Sequence, residues 1–267
     1  MSYRLPAHQR LANALIYGEF QTFYQPIVEL ASGTVVGAEA LCRWPQRDGT
    51  FASPETFITQ AETTGFVVQL GEWVMKSALE QTRCWQQRFG YPLKIAINLS
   101  ARQFLHHNLV RKVEELVKAA GMRPDTVELE ITESVAMHNA DDTIAILRQF
   151  KSLGFGLALD DFGTGYSSLA YLKKFPLDKL KIDKTFVSEI PNDTNDLAIV
   201  SAIIAMAHAL SLSVQAEGVE TRPQSDFLTE CGCEYAQGYL FGRALPADEF
   251  EELLSESMSS GAATIAS

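Results

Sequence analysis

Carboxylates, carboxamides and a lysine recur at one kind of position in this chain: the carboxyl end of short apolar, β-branched runs. In order they are Glu39, Asn98, Glu130 with Glu133, the adjacent pair Asp160-Asp161, Lys181, Glu217 with Glu220, and Gln237. Asp and Glu often cap helices just after strands, and for Glu133 and Glu220 a cap is the alternative. As a set, so many like charges could not stay ionised side by side without cations to offset the repulsion. The donors are hard oxygens with no His or Cys among them, which favours Mg²⁺ or Mn²⁺ over zinc. Asp160 and Asp161 can serve two neighbouring cation positions, the arrangement suited to in-line attack of water on a phosphodiester. Arg43, four residues after Glu39, has a planar fork fit for bidentate phosphate contact, or else pairs with the acidic mouth. Lys181 positions the attacking water, takes its proton with a pKa lowered by nearby cations, or is a structural counter-ion.

The elements that must carry these residues alternate. Strands are expected over Phe20–Val28, Thr34–Leu41, Lys94–Leu99, Val127–Ile131, Gly156–Asp160, Asp178–Ile182, Ser213–Glu217 and Glu234–Gln237. Helical patterns occupy Pro54–Thr64, Val67–Arg88, Leu109–Ala120, Ala140–Leu153, Ser168–Lys174, Asn195–Leu210, Arg222–Cys231 and Ala247–Ser255. Strand–helix repetition implies a parallel sheet, and eight units imply a closed barrel with its chemistry at the carboxyl ends of the strands. One connection departs from this: the Ala31-Ser32-Gly33 link between the first two strands is too short for a parallel crossover. The fold class is therefore α/β, a modified TIM (β/α)₈ barrel with the first strand antiparallel. A hairpin folded about Ser32 sets Gln25 nearly opposite Glu39.

The chain has 267 residues and a net charge of −11, which argues against a nucleic-acid polymer or an anionic membrane as partner. Its four cysteines lack the spacing of a disulfide framework or zinc site and read as reduced thiols in a cytoplasmic protein. No signal peptide is visible at the start. The apolar stretch Leu197–Leu212 is too short to span a bilayer and reads as a buried core helix. Residues 1–254 are expected to form one barrel domain, with Ser255–Ser267 a disordered tail. The segment Asp161–Ser168, with glycines at 163 and 165, is a well-made turn or a loop able to move and carry Asp161 with it.

Glu39-Ala40-Leu41 within GAEALCRW resembles the signature of the EAL-domain cyclic di-GMP phosphodiesterases. The resemblance runs from about Leu11 to Phe250 and includes Tyr24-Gln25-Pro26-Ile27-Val28, Asn98-Leu99-Ser100, Glu128-Leu129-Glu130-Ile131-Thr132-Glu133, Asp160-Asp161-Phe162-Gly163, Lys181-Ile182-Asp183, Ala216-Glu217-Gly218-Val219-Glu220 and Gln237-Gly238-Tyr239. It implies a cyclic-guanylate-specific phosphodiesterase that hydrolyses cyclic di-GMP to linear pGpG in bacterial second-messenger turnover. By that likeness Glu39, Asn98, Glu130, Asp160, Asp161 and Glu217 hold two Mg²⁺ or Mn²⁺ ions. Lys181 and Glu217, with Glu39, carry the catalysis, and Gln25, Leu41, Arg43 and Gln237 line the substrate path. Glu133 anchors the Asp161–Ser168 loop and Glu220 supports the site. The likeness also implies a homodimer, and sensor or cyclase domains in a longer parent chain. Two other readings fit the same residues: a non-catalytic cyclic di-GMP receptor, and an enolase-like barrel with a lysine base and Mg²⁺. All-oxygen ligands lead us to expect turnover with Mg²⁺ or Mn²⁺, its loss on exhaustive chelation, and inhibition by the larger Ca²⁺. A product assay after chelation and metal add-back checks this.

Overall fold

The computed structural model describes residues 6–46, 48–163 and 169–259. Its strands are β1 (Gln21–Glu29), β2 (Thr34–Arg43), β3 (Lys94–Asn98), β4 (Val127–Thr132), β5 (Gly156–Phe162), β6 (Lys179–Ile182), β7 (Ser213–Ala216) and β8 (Tyr235–Ala236), closed into a barrel in sequence order. β1 runs antiparallel to both β2 and β8, and the remaining pairs are parallel. The hairpin places Gln25 against Glu39, as its length requires.

Most differences from the expected elements have local causes. Glu234, expected to open the last strand, instead uses its carboxylate to accept the Val214 N–H at 2.8 Å and to meet His208 at 3.1 Å. β8 is left two residues long. Four helices have no counterpart in the sequence reading: Ala7–Ile16, Ala101–Phe104, Glu133–His138 and Lys184–Val187. The last three span one or two turns, too short to show a periodicity. The first buries Leu11 and Ala14 in a satellite core with Phe20, Trp44, Phe57 and Phe66. The apolar stretch at Leu197 forms the helix Thr194–Ala209, which buries Val200, Ile203, Ile204 and Ala207 but leaves Ile199 40% exposed. It is a one-sided surface helix, not a fully buried one. The final helix, Ala247–Ser259, runs five residues past the point where a disordered tail was expected to begin; residues 260–267 lie outside the described residues. All four cysteines are free thiols. Among the described residues no helix is long and apolar enough to cross a membrane.

Alternate residues of a strand face opposite sides, and here the two sides differ in kind. Ile95, Ile97, Leu129, Ile131, Leu159, Leu180, Ile182 and Val214 belong to the main apolar core. The positions between them carry Glu128, Glu130, Asp160, Lys179, Lys181 and Gln215, all buried and polar. Barrels of this type usually fill the interior with branched apolar side chains. This one fills much of it with a charged and amide network, so the apolar free energy of folding resides in the sheet–helix layer.

The antiparallel β1 is braced from outside. Tyr24 packs edge-on to Trp85 at 4.7 Å between centroids, and Trp85 meets Phe250 of the last helix at 4.9 Å. Trp85 Nε1 also donates to Glu251 Oε2 at 3.1 Å. Trp85→Ala should therefore cost about 3–5 kcal/mol of stability, read from urea denaturation. A loss below about 1 kcal/mol would show that the brace is dispensable.

Candidate active site

The carboxyl ends of β2 through β7 meet around Lys181. β6 is short and buried on both faces, so the Lys181 side chain lies wholly inside the protein with no exposure. Its ammonium donates to Glu130 Oε2 from β4 at 2.9 Å and contacts Asp160 Oδ2 from β5 at 3.2 Å and Glu217 Oε1 just beyond β7 at 2.7 Å. A lysine has three N–H donors, and here each has a carboxylate.

Glu39 stands on the neighbouring wall, both oxygens held by amides. Asn98 Nδ2 donates to Oε1 at 2.7 Å and Gln237 Nε2 donates to Oε2 at 2.7 Å. Asp160, Asp161 and Glu217 each bring a carboxylate oxygen within 4.8 Å of the others. Asp161 reaches this position through a left-handed backbone (φ 55°), and its N–H donates to Asp160 Oδ1 at 2.9 Å. Such a conformation is costly for most side chains and least so for Asp and Asn.

Glu133 is buried and its Oε2 accepts the Gly163 N–H at 3.1 Å, while Thr132 caps the helix that Glu133 begins. Glu133 thus grips the start of the loop after β5, and the loop's 164–168 portion lies outside the described residues.

The electrostatics are those of an acid cluster short of counter-charge. Burial pushes the Glu130 carboxyl well above its usual range, against the pull of Lys181, and Glu39, Asp160 and Glu128 push the same way. Burial likewise raises Glu217 to about 7, opposed by Lys181 and reinforced by Asp160 and Glu39. Asp161 is raised by burial and then by Asp160. Burial alone would lower Lys181, but Glu130, Glu217, Glu39 and Asp160 outweigh it and hold the ammonium well above the ordinary lysine value. The expected lowering of the lysine pKa belongs to the cation-loaded site; without cations the direction is upward. Four surrounding carboxylates decide the sign.

The residues present fit divalent cations. Glu130 Oε1 is fully buried with no hydrogen-bond partner among the described residues, and the Asp160, Asp161 and Glu217 oxygens form an all-oxygen donor set suited to Mg²⁺ or Mn²⁺.

Around this centre the other expected residues divide. Arg43 forms no ion pair among the described residues; its Nη1 donates to the Cys42 carbonyl at 3.0 Å and its guanidinium lies 5.9 Å from the Phe23 ring centroid. Its pairing with the acidic mouth is not realised. Leu41 and Asn98 line a largely apolar hollow of ≈ 270 Å³ shared with Leu70, Val74 and Val135. Gln25 Oε1 accepts from Gln237 Nε2 at 2.9 Å, and Gln25 Nε2 donates to the Gly242 carbonyl at 3.3 Å. Gly238, next to Gln237, crosses the chain so closely that a Cβ there would sit 2.1 Å from the Val219 carbonyl oxygen. Glu220 is exposed, and its side chain makes no hydrogen bond among the described residues. Its loop is pinned instead by Gln224, whose Oε1 accepts the Glu220 and Thr221 N–H groups at 2.8 and 2.9 Å. Gln224 went unremarked in the sequence, although the spacing Thr221-x-x-Gln224 is a capping-box signal. Glu128, Lys179 and Gln215 were also missed, because they lie one tier below the strand ends where chemistry is sought.

Comparison with known proteins follows the same outline. The family model described as "EAL domain" matches residues 8–244. The chain is 45% identical over 239 residues to the bifunctional diguanylate cyclase/cyclic di-GMP phosphodiesterase MucR of Pseudomonas aeruginosa, covering 90% of this chain and 35% of that protein. It is 43% identical over 250 residues to the cyclic di-GMP phosphodiesterase NbdA of the same organism, covering 94% and 32%. The chain thus spans about a third of the length of these curated relatives. The solved structure of the MucR phosphodiesterase in complex with c-di-GMP superposes with a TM-score of 0.88 at 44% identity, covering 92% of this chain and 100% of that one.

The raised Glu217 carboxyl has a thermodynamic signature. Between the ordinary carboxyl range and about 7, the folded state binds more protons than the unfolded one, so stability falls as pH rises through that window. We expect the melting temperature of the chelated protein to drop by a few degrees between about pH 5 and pH 8, and Glu217→Gln to flatten the drop. Scanning calorimetry checks this, and a melting temperature that climbs over the window would reverse the assigned sign.

Proposed function

The chain belongs to the EAL-domain family, and from that membership we propose that it hydrolyses cyclic di-GMP to linear pGpG using Mg²⁺ or Mn²⁺, two ions per site. The observation that carries the reading is the convergence of Glu130, Asp160 and Glu217 on the Lys181 ammonium, with Asp161 alongside. In this reading Glu39, Asn98, Glu130, Asp160, Asp161 and Glu217 hold the cations, which when bound supply Lewis-acid stabilisation of the phosphate and a more acidic water.

The protein's own groups do the rest. Lys181, protonated, keeps three carboxylates from splaying apart and offsets part of their charge. Glu217, 2.7 Å from the Lys181 ammonium and beside the Asp160 and Asp161 oxygens, holds and activates the attacking water together with Lys181. Arg43, in no ion pair among the described residues, can meet a phosphate, and its fork favours that over a single contact. Leu41, Gln25 and Gln237 shape the approach, Glu133 holds the loop that bears Asp161, and Gln224, in place of Glu220, supports the loop after β7. A cytoplasmic homodimer, with sensor or cyclase domains elsewhere in a longer chain, belongs to the same reading. The longer chain is supported by relatives about three times the matched length, one of them bifunctional.

The test is product analysis with cyclic di-GMP and Mg²⁺ or Mn²⁺. We expect pGpG to accumulate, and Glu217→Gln to slow it by about 10²–10⁴-fold while still binding cyclic di-GMP in Ca²⁺. Tight binding by the unmodified protein with no pGpG formed would instead establish a receptor.

A further inference from the structure

We propose that Gln215 is a positioning residue for Glu39, and that the buried Lys179–Glu128 pair lower in the barrel sets the direction of the hydrogen bonds that reach it. The proposal rests on reading Glu39 as a cation ligand. Strand alternation puts Lys179 on the same face of β6 as Lys181, one tier deeper. Its ammonium donates to Glu128 Oε1 at 2.7 Å and to Gln215 Oε1 at 3.2 Å, and it sits 4.7 Å from the Tyr235 ring centroid. Gln215 Nε2 donates to Gln237 Oε1 at 3.1 Å. Gln237 Nε2 then donates to Gln25 Oε1 at 2.9 Å and Glu39 Oε2 at 2.7 Å.

The direction of this chain follows from its two ends: an ammonium has only hydrogens to offer, and the Glu39 carboxylate only lone pairs. Lys179 therefore claims the oxygen of the Gln215 amide, so the NH₂ of Gln215 must face Gln237. That claims the oxygen of Gln237, whose NH₂ must face Glu39. Reversing either amide would set a carbonyl oxygen against the Glu39 carboxylate or an NH₂ against the ammonium. Gln215 has no exposed surface and Gln237 is below 10%, so a broken link between the two amides has no water to turn to. With Asn98 on Oε1, both Glu39 oxygens are oriented by N–H donors, leaving their remaining lone pairs for a cation. Groups that orient a metal ligand in this way are typically worth about 10–100-fold in metal affinity.

The experiment is calorimetric titration of the metal-free protein with Mn²⁺, beside kcat and KM for cyclic di-GMP. Gln215→Met keeps the size and the Lys179–Glu128 pair but removes the donor to Gln237. We expect Mn²⁺ affinity to fall about tenfold or more and kcat to fall with it, with KM little changed. A purely structural role would lower the melting temperature and leave Mn²⁺ affinity alone. The double variant Glu128→Gln/Lys179→Gln removes both charges together, leaves no orphaned buried ion, and takes away one of the two ends that fix the amide direction; a smaller loss of Mn²⁺ affinity is expected. Wild-type affinity in folded Gln215→Met overturns the role of Gln215, and wild-type affinity in the double variant overturns that of the pair. Should Gln215→Met not fold, Gln215→Leu, which removes the same donor to Gln237, is read in its place. Glu39→Gln, run alongside, separates the two kinds of failure. Unchanged Mn²⁺ binding there removes Glu39 from the cation site. Loss there with unchanged binding in Gln215→Met overturns the positioning role alone.

Discussion

A lysine ammonium with no access to solvent holds carboxylates from β4, β5 and the exit of β7 within 3.2 Å of a single nitrogen. The acidic mouth depends on that contact. Without it Glu130, Asp160 and Glu217 would repel one another in a medium that screens poorly. Breaking a buried pair from one side typically costs about 3–5 kcal/mol, because the remaining charge has nowhere to go. Even with the lysine in place the carboxylates outnumber the ammonium, and the upward pressure on Glu130, Glu217 and Asp161 is the residue of that imbalance. The apparent conflict between a raised lysine and raised acids resolves at this point. Both express a cluster that retains protons until external positive charge replaces them.

The barrel is organised to sustain this arrangement. Period-two alternation sends Ile95, Leu129, Leu159, Leu180 and Val214 outward to the helices, and the same strands send acids, lysines and amides inward. A polar interior of this kind survives only if its groups are paired, and the Lys179–Glu128, Lys181–Glu130 and Gln215–Gln237–Glu39 contacts pair most of it. The antiparallel β1 contributes Gln25 to the network through its register with Glu39. Gly238 lets the β8 exit lie close enough to Val219 for Gln237 to reach the centre.

Much of this was legible beforehand. The barrel, its reversed first strand and the placement of Glu39, Asn98, Glu130, Asp160, Asp161, Lys181 and Glu217 at strand ends follow from apolar periodicity, one short connection and the side on which such barrels do chemistry. Single-turn helices such as Lys184–Val187 were not legible, since four residues carry no period. Nor was the exposed face of Thr194–Ala209, because a helix apolar all round does not say which side will be covered.

The sequence by itself determined the alternation of strands and helices, the hairpin that turns β1 around, and the chemical types gathered at one end. These depend on local spacing and on covalent chain length. Only the tertiary structure decided that Lys181 is shared by three acids, that Arg43 meets the Cys42 carbonyl and no carboxylate among the described residues, that Glu220 faces outward, and that Gln215 points its amide toward Gln237. Those outcomes depend on distances across the barrel between residues tens of positions apart. They also depend on the loss of water from its interior, which converts modest pairwise preferences into a single arrangement of donors and acceptors.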